Sequence, residues 1–437
     1  MSTRGSFNGV LTLSLAIAFM GGAGLSRAAD WPQWRGPARD GVWTEEGLVE
    51  RFDSPQVPIK WRVAVGSGYS GPTVAEGRVF VMDRVAGPSP RERVLSFDAE
   101  TGPEVWSYAY DCRYQGIQYE AGPRCSVTID EGRAYALGAM GHLHCLDARS
   151  GKLIWKHDCR QEYGAKIPIW GIAASPLVEG GLVIVHVGGG DKASVIAFDK
   201  VTGQERWRAL NDPASYSSPV MIEQAGRRVF VCLTGERMVG LNPQTGDLYW
   251  ESAFRPKEMV ITIATPVFDG SHLVATSFYD GMLLLKVRQD ELAVEKLWQR
   301  RGENERNTDA LHCCISTPLI LGDHIYGVDS HGELRCLDLK TGDRVWEDLT
   351  ATPKARWSNV HMVRNGDRIW MFNERGELII AKLDPAGFHE ISRAKLIEPT
   401  TGQLDQRGGV CWSHPAFADR RVYARNDKEL VCASLSR

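Results

Sequence analysis

A chain of 437 residues with 43% hydrophobic and 24% charged residues has the composition of a soluble globular protein, neither disordered nor fibrous. Its net charge of −3 is too mild to imply nucleic acid or an anionic membrane as partner. Length alone suggests two or three domains, but repeats must be sought before the chain is divided.

The first element is a leader. Arg4 precedes a largely apolar run from Val10 to Met20, and Ser26-Arg27-Ala28 places small residues where a signal peptidase reads. Residues 1–28 are therefore expected to be a cleaved signal peptide, which makes the protein exported, either periplasmic or extracellular. Losing Arg4 and Arg27 takes the 51 basic residues to 49 against 54 acidic ones, a balance of −5. No apolar run of transmembrane length follows, so no integral span is expected after cleavage. The first cysteine is Cys112, which argues against a lipid anchor at this cleavage site. Residues 29–58 read as an N-terminal segment without a repeat.

From residue 59 onward one phrase recurs. It begins with Ser/Thr-Pro and an apolar strand, passes a Gly turn into a second strand, and ends on a third strand followed by Asp-x-x-Thr-Gly-x-x-x-Trp. Copies end at Trp106, Trp155, Trp207, Trp250 and Trp346, each with Asp or Asn eight residues earlier and Gly four earlier. Thr-Gly suits a tight hairpin, with Gly free to take positive φ. The Trp offers a large apolar face to a neighbouring unit. Trp61, Trp106, Trp155, Trp207, Trp250, Trp298 and Trp346 are spaced by 45, 49, 52, 43, 48 and 48 residues, the period of propeller blades. These seven are assigned a structural docking role.

Two copies are degenerate. The fifth keeps Trp298 but has Val287 to Leu292 in place of the Asp-Thr-Gly hairpin. The seventh, at about 358–397, has Leu383-Asp384-Pro385-Ala386-Gly387 and no Trp after that hairpin. The eighth ends at its third strand, Leu430-Val431-Cys432-Ala433. Its fourth is supplied by Ile59-Lys60-Trp61-Arg62-Val63-Ala64, which precedes the first blade. The expected fold is all-β: an eight-bladed propeller of four-stranded antiparallel blades over 59–437, closed by the N-terminal strand so that no sheet edge is left open.

Ala197-Phe198-Asp199-Lys200-Val201-Thr202-Gly203-Gln204-Glu205-Arg206-Trp207 resembles the tryptophan-docking motif of pyrroloquinoline-quinone-repeat (PQQ-repeat) propellers. That motif is shared by quinoprotein alcohol dehydrogenases and the BamB outer-membrane assembly lipoproteins. Trp31-Pro32-Gln33-Trp34-Arg35-Gly36-Pro37 resembles the leader of exported bacterial PQQ-repeat proteins. The resemblance implies the fold and says little about chemistry, because the motif builds blades. The leading expectation is a binding or scaffold propeller in the cell envelope that presents its face to a protein or an envelope ligand. The alternative is a PQQ-dependent oxidoreductase with Ca²⁺. A hydrolase or lyase has no support, since Gly-x-Ser-x-Gly, P-loop and His-Glu-x-x-His motifs are absent.

Loops joining the last strand of one blade to the first of the next meet around a propeller's channel. Three residues before the Pro-equivalent of each blade stand Tyr69, Pro123, Ala173, Tyr216, Ile263, Ile315, Trp357 and Trp412. Tyr69, Trp357 and Trp412 fall on consecutive blades, so they serve either as a channel plug or as an aromatic platform for a flat or sugar-like ligand. The next ring is mostly small, with Ser70, Ser217, Ser316, Ser358 and Ser413, but it contains Arg124. The loop from Glu303 to Cys314 is a second candidate. His312, Cys313 and Cys314 are ligand-binding candidates there, because adjacent cysteines resemble the vicinal disulfide of some PQQ dehydrogenases. Glu303, Asn304, Asn307 and Asp309 would be its oxygen donors for Ca²⁺.

Other signals read as structural. Cys145, Cys336 and Cys432 share one third-strand position with Ser96, Ala197 and Gly240, which marks a tight slot. Cys112 and Cys125 bound one loop and are the first disulfide pairing to expect in an exported chain. His142-x-His144 lacks a third ligand, so no metal site is assigned.

Overall fold

The computed structural model describes residues 1–3, 5 and 30–437; the expected signal peptide lies almost entirely outside the described residues. The chain forms eight four-stranded antiparallel sheets, each built from consecutive strands except one. In that one, Ile59–Ala64 pairs with Glu429–Ser434 and so completes the eighth blade. The ring is closed as expected. Among the described residues the one α-helix is the single turn Cys159–Tyr163, capped by Asp158 and ended by Gly164 at φ 62°.

The repeat's fixed offsets have local causes. In blade 1, Asp98 Oδ1 accepts from the Thr101 amide at 2.8 Å and from the Thr101 hydroxyl at 2.7 Å, locking the hairpin. Gly102 follows at φ 98°, and a Cβ there would lie 2.9 Å from the Trp61 ring of the preceding blade. The indole thus occupies the space a side chain would need. Its N–H then reaches a main-chain carbonyl of the same hairpin. Trp106 donates to Ala148 at 3.0 Å, Trp155 to Lys200 at 3.3 Å, Trp207 to Pro243 at 3.0 Å, Trp298 to Leu339 at 3.0 Å and Trp346 to Asp384 at 2.8 Å.

The degenerate blades show how the contact survives. Blade 7 has Ser392 and no Trp at the docking position of its last strand, yet its Asp384 carbonyl still receives Trp346. Blade 5 has no Asp-Thr-Gly hairpin, so Trp250 donates instead to Gln224 Oε1 at 2.8 Å. Gln224 is fully buried, and its Nε2 donates to Ala293 O at 2.7 Å in the replacement turn. One amide bridges the gap.

The third-strand slot is real. Cys145, Cys336 and Cys432 lie opposite Trp155, Trp346 and Trp61, as Ser96, Ala197 and Gly240 lie opposite Trp106, Trp207 and Trp250. One pairing needs correction: Cys112 and Cys125 are not bonded, and all ten cysteines are free and buried. Cys112 Sγ faces His142 Nδ1 at 3.8 Å, while Cys125 Sγ faces Ala174 O at 3.4 Å. Their loop is held by other contacts.

The N-terminal segment is part of the propeller. Trp31 exchanges main-chain hydrogen bonds with Val74 of blade 1, and Trp43 N donates to Arg364 O of blade 7, each at 2.8 Å. Farther on, Val57 N donates to Lys395 O at 2.9 Å before the strand Ile59–Ala64 begins. Trp31 and Trp43 are buried, so this segment fills channel space that eight inner strands leave open.

Candidate functional site

At the face where each blade's last strand leads to the next blade's first, the channel mouth is an aromatic cup. Tyr69, Tyr119, Arg124, Trp170, Tyr216, Trp357 and Trp412 line a cavity of about 130 Å³, with Cys314, Ile263 and Ile315 between them. Trp34 and His414 form its floor, their rings 5.0 Å apart, and Trp34 is pinned by donating to Thr265 Oγ1 at 2.8 Å. The second ring of small residues is buried and joins the blades: Ser217 Oγ donates to Ala264 O at 2.8 Å, and Ser316 Oγ accepts from Val360 N at 2.9 Å.

The aromatic side chains are placed with some strain. Tyr119 stands at φ 54° and Trp357 at φ 66°, a region that costs a bulky residue of order 1–3 kcal/mol. Their rings meet edge to face at 6.1 Å, and Tyr119 meets Trp170 likewise at 5.7 Å. Trp412 is fixed from behind. Its amide donates to Gln403 Oε1 at 2.6 Å and its indole N–H to Glu374 Oε2 at 3.4 Å. Glu374 is buried and gripped by both terminal nitrogens of Arg407, at 2.5 and 2.8 Å.

Polar groups at the cup are under-used. Among the described residues, the indole nitrogens of Trp170 and Trp357 are buried without a hydrogen-bond partner, as is Nε2 of His414. Arg124 lies 4.9 Å over the Tyr69 ring and donates to the carbonyls of Gln118 at 3.0 Å and Tyr119 at 2.6 Å. It forms no ion pair among the described residues, so its charge is available at the rim. Burial, with the neighbouring His361 and Arg35 charges, holds His414 well below the usual imidazole range. Burial also pushes the Cys314 thiol up to about 12 and the Tyr216 phenol up to about 12.

Of the candidates named from sequence, Tyr69, Arg124, Trp357, Trp412 and Cys314 come together in this cup. His312 and Cys313 do not line it. His312 Nδ1 donates to Phe278 O at 3.0 Å and Nε2 accepts from Gly302 N at 3.0 Å, tying two loops together. Cys313 packs in the apolar layer with Leu311 and Val274, whereas Cys314 packs beside Ile261 and Phe278. Trp34, Tyr119 and Trp170 were not singled out. Tyr119 and Trp170 sit outside the aligned ring position, and Trp34 lies in the leader.

A quinone held over Ca²⁺ does not fit this donor set. Among the described residues no Asp, Glu, Asn or Gln lines the cup, and a hard cation needs such oxygens. Asp309 is engaged by Arg300 at 2.9 Å, while Asn304 caps its own turn through the amides of Arg306 and Asn307. Cys313 and Cys314 are free thiols that face different clusters.

A family model described as outer membrane protein assembly factor BamB matches residues 90–313 and 310–437. The BamB of Burkholderia pseudomallei is 27% identical over 293 residues, 66% of this chain and 58% of that protein. The quinone alcohol dehydrogenase subunit of Gluconacetobacter polyoxogenes is 32% identical over 169 residues, which span only 22% of its length. This chain therefore spans under two thirds of these relatives. Among solved structures, BamB of Moraxella catarrhalis superposes with a TM-score of 0.60 at 16% identity, covering 86% of this chain and 99% of that one. Quinohemoprotein alcohol dehydrogenase of Comamonas testosteroni gives 0.63 at 14% identity, covering 92% and 80%. At such identities the structural likeness speaks for the fold alone. With the matched model spanning most of the described residues and seven docking tryptophans in place, this chain belongs to the BamB family of PQQ-repeat propellers.

Proposed function

We propose that this propeller is an exported envelope protein that binds a ligand or partner at its aromatic cup and performs no chemistry there. The observation that carries this reading is the state of the cup's titratable groups. A general base must titrate near working pH. His414 is held neutral, Cys314 is held as the thiol, and burial raises the Tyr69 phenol. What remains is apolar area, three unpartnered nitrogens and one rim cation, a set suited to holding a molecule. The names of the relatives support a scaffold role in outer-membrane protein assembly.

The test is intrinsic Trp fluorescence of the purified protein, titrated with glycans, quinones and envelope proteins, with Trp357→Ala as control. Saturable quenching by one class, weakened in the variant, supports the reading. Dye-linked alcohol oxidation upon supply of PQQ and Ca²⁺ would overturn it in favour of a quinoprotein oxidoreductase.

A further inference from the structure

The N-terminal segment fills the channel unevenly. It pairs through its main chain with the inner strands of blades 1, 2 and 7. The inner strands of blades 4, 5 and 6 (Val220–Gln224, Val267–Phe268 and Leu319–Leu321) receive no such pairing among the described residues. Between them and the segment lies a chamber of about 540 Å³. Its lining includes Asp269 and Gly322 at the turns after the first strands, so it opens on the face opposite the aromatic cup.

One wall is apolar, with Val220, Ile222, Phe268 and Leu319; the other carries Arg35, Arg39 and Arg364. Arg35 and Arg39 are 2% and 3% exposed, yet neither forms an ion pair among the described residues. Arg39 donates to the carbonyls of Ser175 and Pro219 at 3.2 Å, to Pro176 O, and to Gln33 Oε1 at 2.8 Å. Arg35 uses Nε on Arg39 O at 3.4 Å and Nη2 on Asp40 O at 2.9 Å. Its Nη1 has no partner among the described residues. Arg364 is exposed, and among the described residues its side chain has no hydrogen bond or ion pair.

The chamber's two acids are turned to their own loops. Asp40 accepts from Val42 N at 2.9 Å, and Asp269 accepts from the amides of Ser271 and His272 and from the His272 ring. Burial holds Arg35 down to about 10, opposed in part by the nearby Asp40 charge, and holds Arg39 down to about 9. A buried guanidinium in that state is costly, and an entering anion relieves it.

We propose that this chamber binds a carboxylate carrying an apolar tail. The head sits among Arg35, Arg39 and Arg364, and the tail lies along the unpaired inner strands of blades 4–6. Carboxylate geometry matches a guanidinium fork, and the apolar wall distinguishes such a ligand from a small inorganic anion.

Calorimetric titration of the purified protein with octanoate, acetate and octylamine tests this. Octanoate should bind saturably at one site, and acetate and octylamine at least about tenfold more weakly. Arg364→Ala should weaken octanoate by about tenfold at an unchanged melting temperature, since it removes one charge-assisted contact and no packing. Trp357→Ala, in the opposite cup, should leave octanoate binding as it is. The proposal is overturned by equal binding of octylamine, by absence of saturable octanoate binding, or by undiminished binding in Arg364→Ala. Loss in Trp357→Ala alone would move the ligand to the aromatic cup and sink it equally.

Discussion

The indole of Trp61 donates to the carbonyl of Ala99 at 3.1 Å, across the seam where the two ends of the propeller meet. Trp61 lies on the strand that completes blade 8, and Ala99 lies in the hairpin between the third and fourth strands of blade 1. The ring is thus closed twice, by the pairing of Ile59–Ala64 with Glu429–Ser434 and by this docking contact.

Trp61→Ala should therefore destabilise the whole ring, by about 3–5 kcal/mol as for other buried aromatic truncations. Deleting residues 29–66 should do more, leaving an open strand edge and an aggregating protein. Urea melts and size-exclusion chromatography measure both. A deletion variant that stays monomeric with an unchanged midpoint would contradict closure by this strand.

The slot opposite each docking Trp sets a second expectation. A Cβ added at Gly240 would lie 2.3 Å from the Trp250 ring. Gly240→Val should cost about 1–3 kcal/mol through overpacking, whereas Cys145→Ser, where a small residue already stands, should cost less. Thermal unfolding of the two variants decides the order, and equal losses would argue against a steric slot.

Trp357 combines a half-buried ring with a left-handed backbone at φ 66°. Trp357→Gly should unfold at a higher temperature than Trp357→Ala, because Gly takes that φ without strain, by roughly 1 kcal/mol. Both variants should lose cup ligand equally. If Ala proves as stable as Gly, the strain assigned to this residue is absent.

His144 is buried against Tyr110, ring centroids 4.2 Å apart, and burial holds its pKa down to about 3. In the unfolded chain it takes up a proton near pH 6.5. Between those values the unfolded state binds more protons, so stability is undiminished above pH 6.5 and falls as pH drops toward 3. The slope is at most about 1.4 kcal/mol per pH unit for this group. His144→Phe keeps a ring against Tyr110 and removes the titration. The variant should lose stability less steeply between pH 6 and 4 in urea melts; an identical slope would show that His144 does not contribute.

The blade plan was legible from sequence because its causes lie within about ten residues. Asp98 caps its own hairpin, Gly102 leaves room for an indole, and Trp106 follows at a fixed offset on the next strand. The missing last strand of blade 8 and the spare strand at Ile59–Ala64 likewise appear in a count of strands. Alignment of blades also put Tyr69, Trp357 and Trp412 at equivalent loop positions, so their meeting at the channel mouth follows from symmetry. The tertiary structure decided the rest. Adjacent residues on an extended segment face opposite ways, so packing between blades sends Cys314 into the cup and Cys313 into an apolar layer. Trp34 reaches the floor because the leader threads the channel and bonds to Thr265, 231 residues away. Arg39 spans blades 3 and 4 for the same reason. No local pattern encodes that path: it is set by the channel volume that eight inner strands leave and by carbonyls the blades cannot satisfy themselves.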